Sequence, residues 1–388
     1  CVRPDAGWMP CRVRHDWPRI IENHPRARQR GRLSSTGRTG IQGAPSISPP
    51  PPANVRSILL VKTSSLGDVV HNLPVVSDLQ TVFPDAAIDW LVEETLADIP
   101  RLHPGVRRVF TCAVRRWRRT LFQYDTWREI NRLSESLRLA RYDAVLDTQG
   151  LLKSALLARC ASGTRHGLDW RSSREPLRLF YDRTHRVPWG QHAVARNRSL
   201  AAQALGYAVP SKLDYGIVAP PLPRSQPADD EPPAWLADGS SFSWLPARPL
   251  GVFLHATSAD SKLWPEHQWK KLAAHFVNQG LAIALPWGND DERARAERIA
   301  SKLRHVIVAP RMGIRALATL FGQARICIGV DTGLTHLAAA LGRPTVGVYV
   351  DTDPAATGVL APGNAVNVGS RRDVPTLNDV LAAVNAVL

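Results

Sequence analysis

Several short stretches place glycine beside acidic, hydroxyl or cationic residues just after apolar runs, where side chains can meet a ligand. The first, Lys62-Thr63-Ser64-Ser65-Leu66-Gly67-Asp68-Val69-Val70-His71, follows the run Ile58-Leu59-Leu60-Val61. Gly67 permits close approach, and Asp68 can project a carboxylate into a cleft and take a proton there. An Asp in that position also favours a helix N-terminus electrostatically, and a histidine such as His71 is more often structural than catalytic. The loop is neither GxGxxG nor a P-loop, which argues against dehydrogenase and nucleotide-hydrolase chemistry.

The second stretch runs from Gly329-Val330-Asp331-Thr332-Gly333 through His336 to Gly342. It reads as strand, acidic turn, helix and glycine stop. Free N–H groups near Thr332 and Gly333 could hold a diphosphate, and His336 lies one turn inside on a face that reaches the same ligand. Plain capping by Asp331 or Thr332 is the alternative. In the third, His255-Ala256-Thr257-Ser258-Ala259-Asp260-Ser261-Lys262, two hydroxyls and an ammonium suit a phosphate. In the fourth, Leu285-Pro286-Trp287-Gly288-Asn289-Asp290-Asp291-Glu292, a carboxylate could accept from ribose hydroxyls or simply form an acidic first helical turn. The fifth is the cluster Arg115-Arg116-Trp117-Arg118-Arg119, joined by Lys153, Arg165, Arg171 and Arg174, whose guanidinium forks suit phosphates and carboxylates.

These stretches need elements to hold them. At 388 residues the chain is longer than one ordinary domain. Strands are expected at 58–61, 88–92, 106–110 and 143–147, with helices at 69–82, 127–140 and 151–161. A second set follows, with strands near 250–254, 281–285, 305–308, 326–330 and 345–349 and helices at 265–279, 290–303, 313–322 and 332–341. The alternation implies two doubly wound α/β domains, 54–218 and 250–388, with a cleft at the carboxyl ends of their strands. Residues 219–249, with a burst of prolines, read as the linker. Residues 1–53, rich in Arg, Pro, Gly and Ser, read as a disordered leader. The chain begins at Cys1, so a fragment or an over-extended upstream translation is the expectation there.

The formal net charge of +15 asks for an anionic partner. Residues 101–200 alone carry 21 Arg or Lys against eight acids, so one segment supplies most of the basic character. A nucleic-acid binder would share that charge, but no recognition motif accompanies it. The five cysteines are scattered and never spaced as CxxC. They suggest neither a disulfide framework nor a zinc site, and a reducing cytoplasm fits them best. No apolar run approaches the roughly 20 residues of a membrane span, so any membrane contact should be peripheral. Asp351-Thr352-Asp353 imitates a DxD metal motif but reads as a turn beside Pro354.

From about residue 55 to its end the chain resembles the bacterial lipopolysaccharide heptosyltransferase I family, inverting glycosyltransferases of GT-B type. The resemblance is carried by VKTSSLGDVVHNLP, DWLVEE, RRWRR, YDAVLDTQGLLKSA, HGLDWRSSREP, LHATSADSKLWPE, LPWGNDDE and VDTGLTHLAAAL. It implies two Rossmann-like domains facing across a cleft. It also implies transfer of L-glycero-D-manno-heptose from ADP-heptose to the first Kdo of Kdo-lipid A. By position it makes Asp68 the general base and Lys262 the group that steadies the departing diphosphate. Thr257, Ser258, Glu292, Met312, Asp331, Thr332, Gly333 and His336 match positions around the donor. Ser65, Gly67, Arg115, Arg116, Arg118, Arg119, Lys153 and Arg174 would face the acceptor. Ser258 stands where the family pattern has a second Thr, and a hydroxyl survives. The resemblance implies no metal or other cofactor, no nucleic acid, and a cytoplasmic enzyme peripheral on the anionic inner-membrane surface. Relatives that add the second heptose, and sugar-nucleotide epimerases of the same architecture, are the alternative readings.

Overall fold

The computed structural model describes residues 55–222 and 242–388, so the expected leader and the middle of the expected linker lie outside the described residues. The first lobe holds six parallel strands: β1 Ser57–Val61, β2 Ala87–Glu93, β3 Val106–Cys112, β4 Ala144–Asp147, β5 Thr164–Leu168 and β6 Arg183–His185. The second holds β7 Leu250–Leu254, β8 Ala282–Leu285, β9 Val306–Val308, β10 Ala324–Val330, β11 Thr345–Val348 and β12 Ala365–Val368. Their spatial orders, β3-β2-β1-β4-β5-β6 and β12-β11-β10-β7-β8-β9, are the same doubly wound order met from opposite edges. Strand order therefore reverses between β1 and β4 in one lobe and between β7 and β10 in the other. The loops leaving these strands part there and open a crevice at each sheet's carboxyl edge.

Seven helices serve the first lobe: α1 Leu66–Val70, α2 Leu73–Val82, α3 Asp98–Arg101, α4 Val114–Trp117, α5 Tyr124–Ala140, α6 Leu152–Ala158 and α7 Ala193–Leu205. Six serve the second: α8 Glu266–Asn278, α9 Asp290–Ala300, α10 Ile314–Gln323, α11 Gly333–Ala340, α12 Pro354–Thr357 and α13 Leu377–Val387. The single helix expected over 69–82 is two, because Pro74 sits at the start of α2 and cannot continue α1 through His71 and Asn72. The sequence reading did not anticipate β5, β6, β12, α7 or α13.

The central strands are buried on both faces. In β1, Ile58 and Leu60 enter one apolar cluster while Leu59 and Val61 enter another with Trp117, Leu137 and Leu157, as strand alternation requires. The first cluster does not stop at the lobe boundary. It takes in Leu250, Val252 and Leu254 of β7, Leu317, Leu320 and Phe321 of α10, and Leu337 of α11. The lobes thus share one core on their facing sides, and each keeps a further core of its own, the first around Leu59, Val61 and Leu137 and the second around Phe253, Trp264 and Trp269.

A buried ion pair ties two helices of the first lobe together. Asp78 of α2 receives two bonds from Arg198 of α7, at 2.7 and 2.8 Å, and Arg198 also donates to Pro210 O and Lys212 O. His103, His166 and His255 are each pushed down to about 4, with burial as the main cause, so they are neutral in the fold. In the unfolded chain a histidine titrates near 6.5. Between that pH and about 4 the unfolded state binds more protons, and stability falls as pH falls. Calorimetric melts should therefore show a Tm that is nearly flat above pH 7 and declines from pH 6.5 downward. A Tm that rose on acidification would contradict the buried neutral assignments.

Candidate active site at the lobe junction

The β1 loop is shaped by its neighbour across the first switch point. The Gln149 side-chain carbonyl accepts from Thr63 N and Ser64 N at 3.1 Å each, and Asp147 Oδ1 accepts from Gln149 N at 2.9 Å. Beneath the loop, buried Lys62 donates to Thr148 O at 2.8 Å. Burial lowers the Lys62 ammonium, while Asp68 and Asp147 oppose that shift. Asp68 itself is partly exposed at the start of α1. Its Oδ2 accepts from Ser65 N and Ser65 Oγ, both at 2.9 Å. Its other oxygen has no hydrogen-bond partner among the described residues. The helix-start role and a free carboxylate oxygen thus coexist in one side chain.

Across the junction, α11 leaves β10 through Asp331 and Thr332. Thr332 occupies the N-cap position but makes no side-chain cap bond. Asp331 does not cap either. Its Oδ2 receives Lys262 Nζ at 2.7 Å and Thr352 Oγ1 at 2.8 Å, its Oδ1 lies 3.8 Å from His336 Nε2, and its carbonyl receives Thr257 Oγ1 at 2.9 Å. Burial would raise this carboxyl, but His336, Lys262 and Thr352 together outweigh it and hold Asp331 well below the usual carboxylate range. An ionised, half-buried carboxylate therefore anchors the ammonium of Lys262 at the mouth of α11.

The two lobes meet where their motif glycines face each other. A Cβ on Gly67 would lie 3.2 Å from His336 Cδ2 and 3.6 Å from Gly333 Cα. A Cβ on Gly333 would lie 2.5 Å from Leu66 Cδ2 and 2.7 Å from Gly67 N. The close approach that Gly67 permits is to the opposite lobe. Through it, the Asp68 loop is set against the Asp331, His336 and Lys262 group.

Other expected residues take less central positions. Ser258 is exposed and Met312 packs on the edge of the shared core. Glu292 folds back on its own helix start, accepting from Gly288 N at 2.7 Å and Asn289 Nδ2 at 3.2 Å, which is the capping arrangement and not an outstretched carboxylate. Lys153 of α6 donates to Ser64 Oγ, which brings its ammonium beside the Asp68 loop. The basic segment is less free than its charge suggests. Arg116 bridges Glu94 and Glu129, Arg107 and Arg108 share Asp89, and Arg165 pairs with Asp182. Arg115, Arg118, Arg119 and Arg174 are exposed and have no ion-pair partner among the described residues. Two contributors were missed from sequence. Thr352 lay inside a stretch read as a turn, and Gln149 inside the quoted DTQG motif without a role. No cluster of three or more His, Cys, Asp or Glu among the described residues is arranged to hold a metal.

Comparison with known proteins places the chain among recognisable relatives. Residues 130–381 match the family described as Glycosyltransferase family 9 (heptosyltransferase). The chain is 41% identical over 323 residues to lipopolysaccharide heptosyltransferase 1 of Escherichia coli K12, covering 83% of this chain and 96% of that protein. It is 45% identical over 316 residues to the protein of that name from Pseudomonas aeruginosa, covering 81% and 83%. Among solved structures it resembles E. coli heptosyltransferase WaaC with ADP, with a TM-score of 0.74 and 39% identity over 86% of this chain and 100% of that one. The WaaC structure with ADP-2-deoxy-2-fluoro heptose gives 0.71 and 39%, over 85% and 99%.

The glycine contact is open to test. Gly333→Ala should force the lobes apart or strain them at an overpacking cost of about 1–3 kcal/mol, read as a lowered denaturation midpoint. Gly190→Ala, where a Cβ meets nothing within 4 Å, should leave the midpoint unchanged. Equal midpoints for the two variants would show that the approach is not tight.

Proposed function

Because the chain belongs to glycosyltransferase family 9, the heptosyltransferases, we propose that it transfers L-glycero-D-manno-heptose from ADP-heptose to the first Kdo of Kdo-lipid A, with inversion. The observation that carries the reading is the junction of α1 and α11, which sets the carboxylate of Asp68 against a cationic group built on Asp331.

In this mechanism the free oxygen of Asp68 takes the proton of the acceptor hydroxyl as that oxygen attacks the anomeric carbon. Its other oxygen is held by Ser65, so the carboxylate is oriented before the acceptor arrives. The new glycosidic bond forms on the face opposite ADP, and the bond to the diphosphate breaks with its electron pair leaving on oxygen. One displacement inverts the centre. Negative charge then grows on the diphosphate, where Lys262 opposes it. An ammonium has three donors, so Lys262 can keep Asp331 and still reach a phosphate oxygen. Ser258 and the uncapped start of α11 at Thr332 and Gly333 supply further donors, while Thr257, its hydroxyl hydrogen committed to Asp331 O, braces the turn beside them. His336, Glu292 and Met312 complete the donor site in this reading. The step draws on no metal or other cofactor.

The acceptor belongs to the first lobe in the same reading, near Ser65, Gly67, Lys153 and Arg174. Arg115, Arg116, Arg118 and Arg119 lead into the loop before α5, and that loop with the first turn of α5 exposes Leu121, Phe122, Tyr124 and Trp127 together. Aromatic and apolar side chains among unpaired arginines are the composition of a membrane–water interface, where each nearby cation adds roughly 1 kcal/mol on an anionic surface. No helix among the described residues is long and apolar enough to cross a membrane. The loop is thus proposed to rest on the cytoplasmic face of the inner membrane, where the acceptor is embedded.

Purified full chain with ADP-heptose and Kdo-lipid A should yield a product heavier by one heptose in mass spectrometry, and none when Kdo-lipid A is omitted. Asp68→Ala should lower transfer by about 10²–10⁴-fold while leaving the ADP-heptose Kd within about twofold. Near wild-type turnover in that variant would remove Asp68 from the role of base. In flotation with vesicles containing anionic lipid, Phe122→Ser with Trp127→Ser should weaken binding by about tenfold or more. Unchanged binding would place the membrane contact elsewhere.

A further inference from the structure

His71 has no part in the mechanism above, yet it is buried in the lobe junction. It follows Asp68 by three residues, and its backbone carbonyl is held by Asn197 Nδ2 at 3.2 Å. Its ring packs edge-on against His336 of the opposite lobe, with centroids 4.5 Å apart, and His71 Nε2 lies 3.2 Å from His336 Nδ1. A third imidazole, His192, stands 5.3 Å from His71. His192 has its own partners, Gly358 O at Nε2 and Val194 N at Nδ1, so it is not free to serve His71. The remaining ring nitrogen of His71, Nδ1, has no partner among the described residues.

These facts decide where the shared hydrogen sits. If His336 donated it, the neutral His71 would carry its own proton on Nδ1, a buried N–H with no acceptor. If His71 donates it from Nε2, the unpaired Nδ1 is only a lone pair. An orphaned buried donor is the rarer and costlier of the two. Burial holds His71 well below the usual histidine range, with His336, His192 and Lys62 pushing the same way, so a neutral ring is the form to consider. With its Nδ1 occupied as an acceptor, a neutral His336 keeps its own hydrogen on Nε2, the atom that faces Asp331.

We propose that His71 is a positioning residue for the donor site: by donating Nε2–H to His336 across the lobe junction, it holds His336 in the tautomer whose Nε2–H is directed at Asp331. Asp331 in turn holds Lys262, so a residue of the acceptor lobe orders the cationic group of the donor lobe. The kinetic half of this inference rests on the donor-site reading above. The tautomer itself does not.

The test uses the full chain. His71→Leu removes the donor and should raise KM for ADP-heptose about tenfold and lower kcat as well, with the KM for Kdo-lipid A changed by less than about threefold. His71→Gln can place an amide N–H where Nε2 stood and should return KM to within about twofold of wild type. Equal losses in Leu and Gln variants would show that His71 only fills space, and an unchanged KM in the Leu variant would show that it does nothing for the donor. Either result overturns the proposal. Independently, ¹⁵N spectra of histidine-labelled wild type, with His336 identified by the signals missing from His336→Asn, should show its Nδ1 unprotonated and its Nε2 protonated. A proton on Nδ1 overturns the proposal even if a variant fails to fold. Absence of heptose transfer by the wild type would count against the donor-site reading while leaving the spectra to decide the tautomer.

Discussion

Two backbones can lie against each other only where side chains do not keep them apart, and the site depends on one such place. Gly67 and Gly333 lie in the first turns of the two short helices that meet at the lobe junction; Gly333 has no room for a methyl group, and Gly67 would have room only if the His336 ring gave way by a few tenths of an ångström. The contact replaces side-chain bulk with backbone, so loops that end two separate sheets approach to within van der Waals distance. Asp68, His71, Asp331 and His336 all lie within a turn or so of those glycines. Their relation to one another is set by this contact more than by any bond among themselves.

The shared core makes the contact durable. A polar cleft alone would leave the lobes free to hinge, but the apolar faces of β1 and β7 belong to one cluster that continues through α10 and α11. Burial of apolar surface is non-directional and brings the lobes together without specifying their angle. Direction comes from the glycine contact and from the few polar bonds that cross it, such as His192 to Gly358 O and Tyr215 to Leu360 O. Non-specific attraction and steric register thus divide the task.

Charge is arranged by the same division. The basic segment between residues 101 and 200 has part of its charge neutralised, as with buried Asp89 between Arg107 and Arg108, and leaves Arg115, Arg118 and Arg119 at the surface near α4 without an ion-pair partner among the described residues. In the second lobe Lys262 is likewise kept beside an ionised Asp331, but in partial burial. A charge so held loses little freedom when an anion arrives, because its position is already determined.

The residues themselves settled a good deal. Continuous apolar runs located β1 to β4 and β7 to β11 to within a residue or two, and from the alternation of period came two doubly wound lobes and the loops that must line a cleft. That Asp68, Lys262 and Asp331 lie in or just after loops leaving strands was legible, because residue type and position after a strand are local properties. The strands β5, β6 and β12, at or next to a sheet edge, were not, since they carry Arg, His or Asn where a central strand would be wholly apolar. Only the tertiary structure decided that Asp331 holds Lys262 instead of capping α11, that Thr352 joins them, and that His71 meets a histidine 265 residues away. Hydrogen bonds of that kind are properties of distances between atoms remote in the chain. Those distances exist only once two sheets have packed, so spacing along a sequence carries no trace of them.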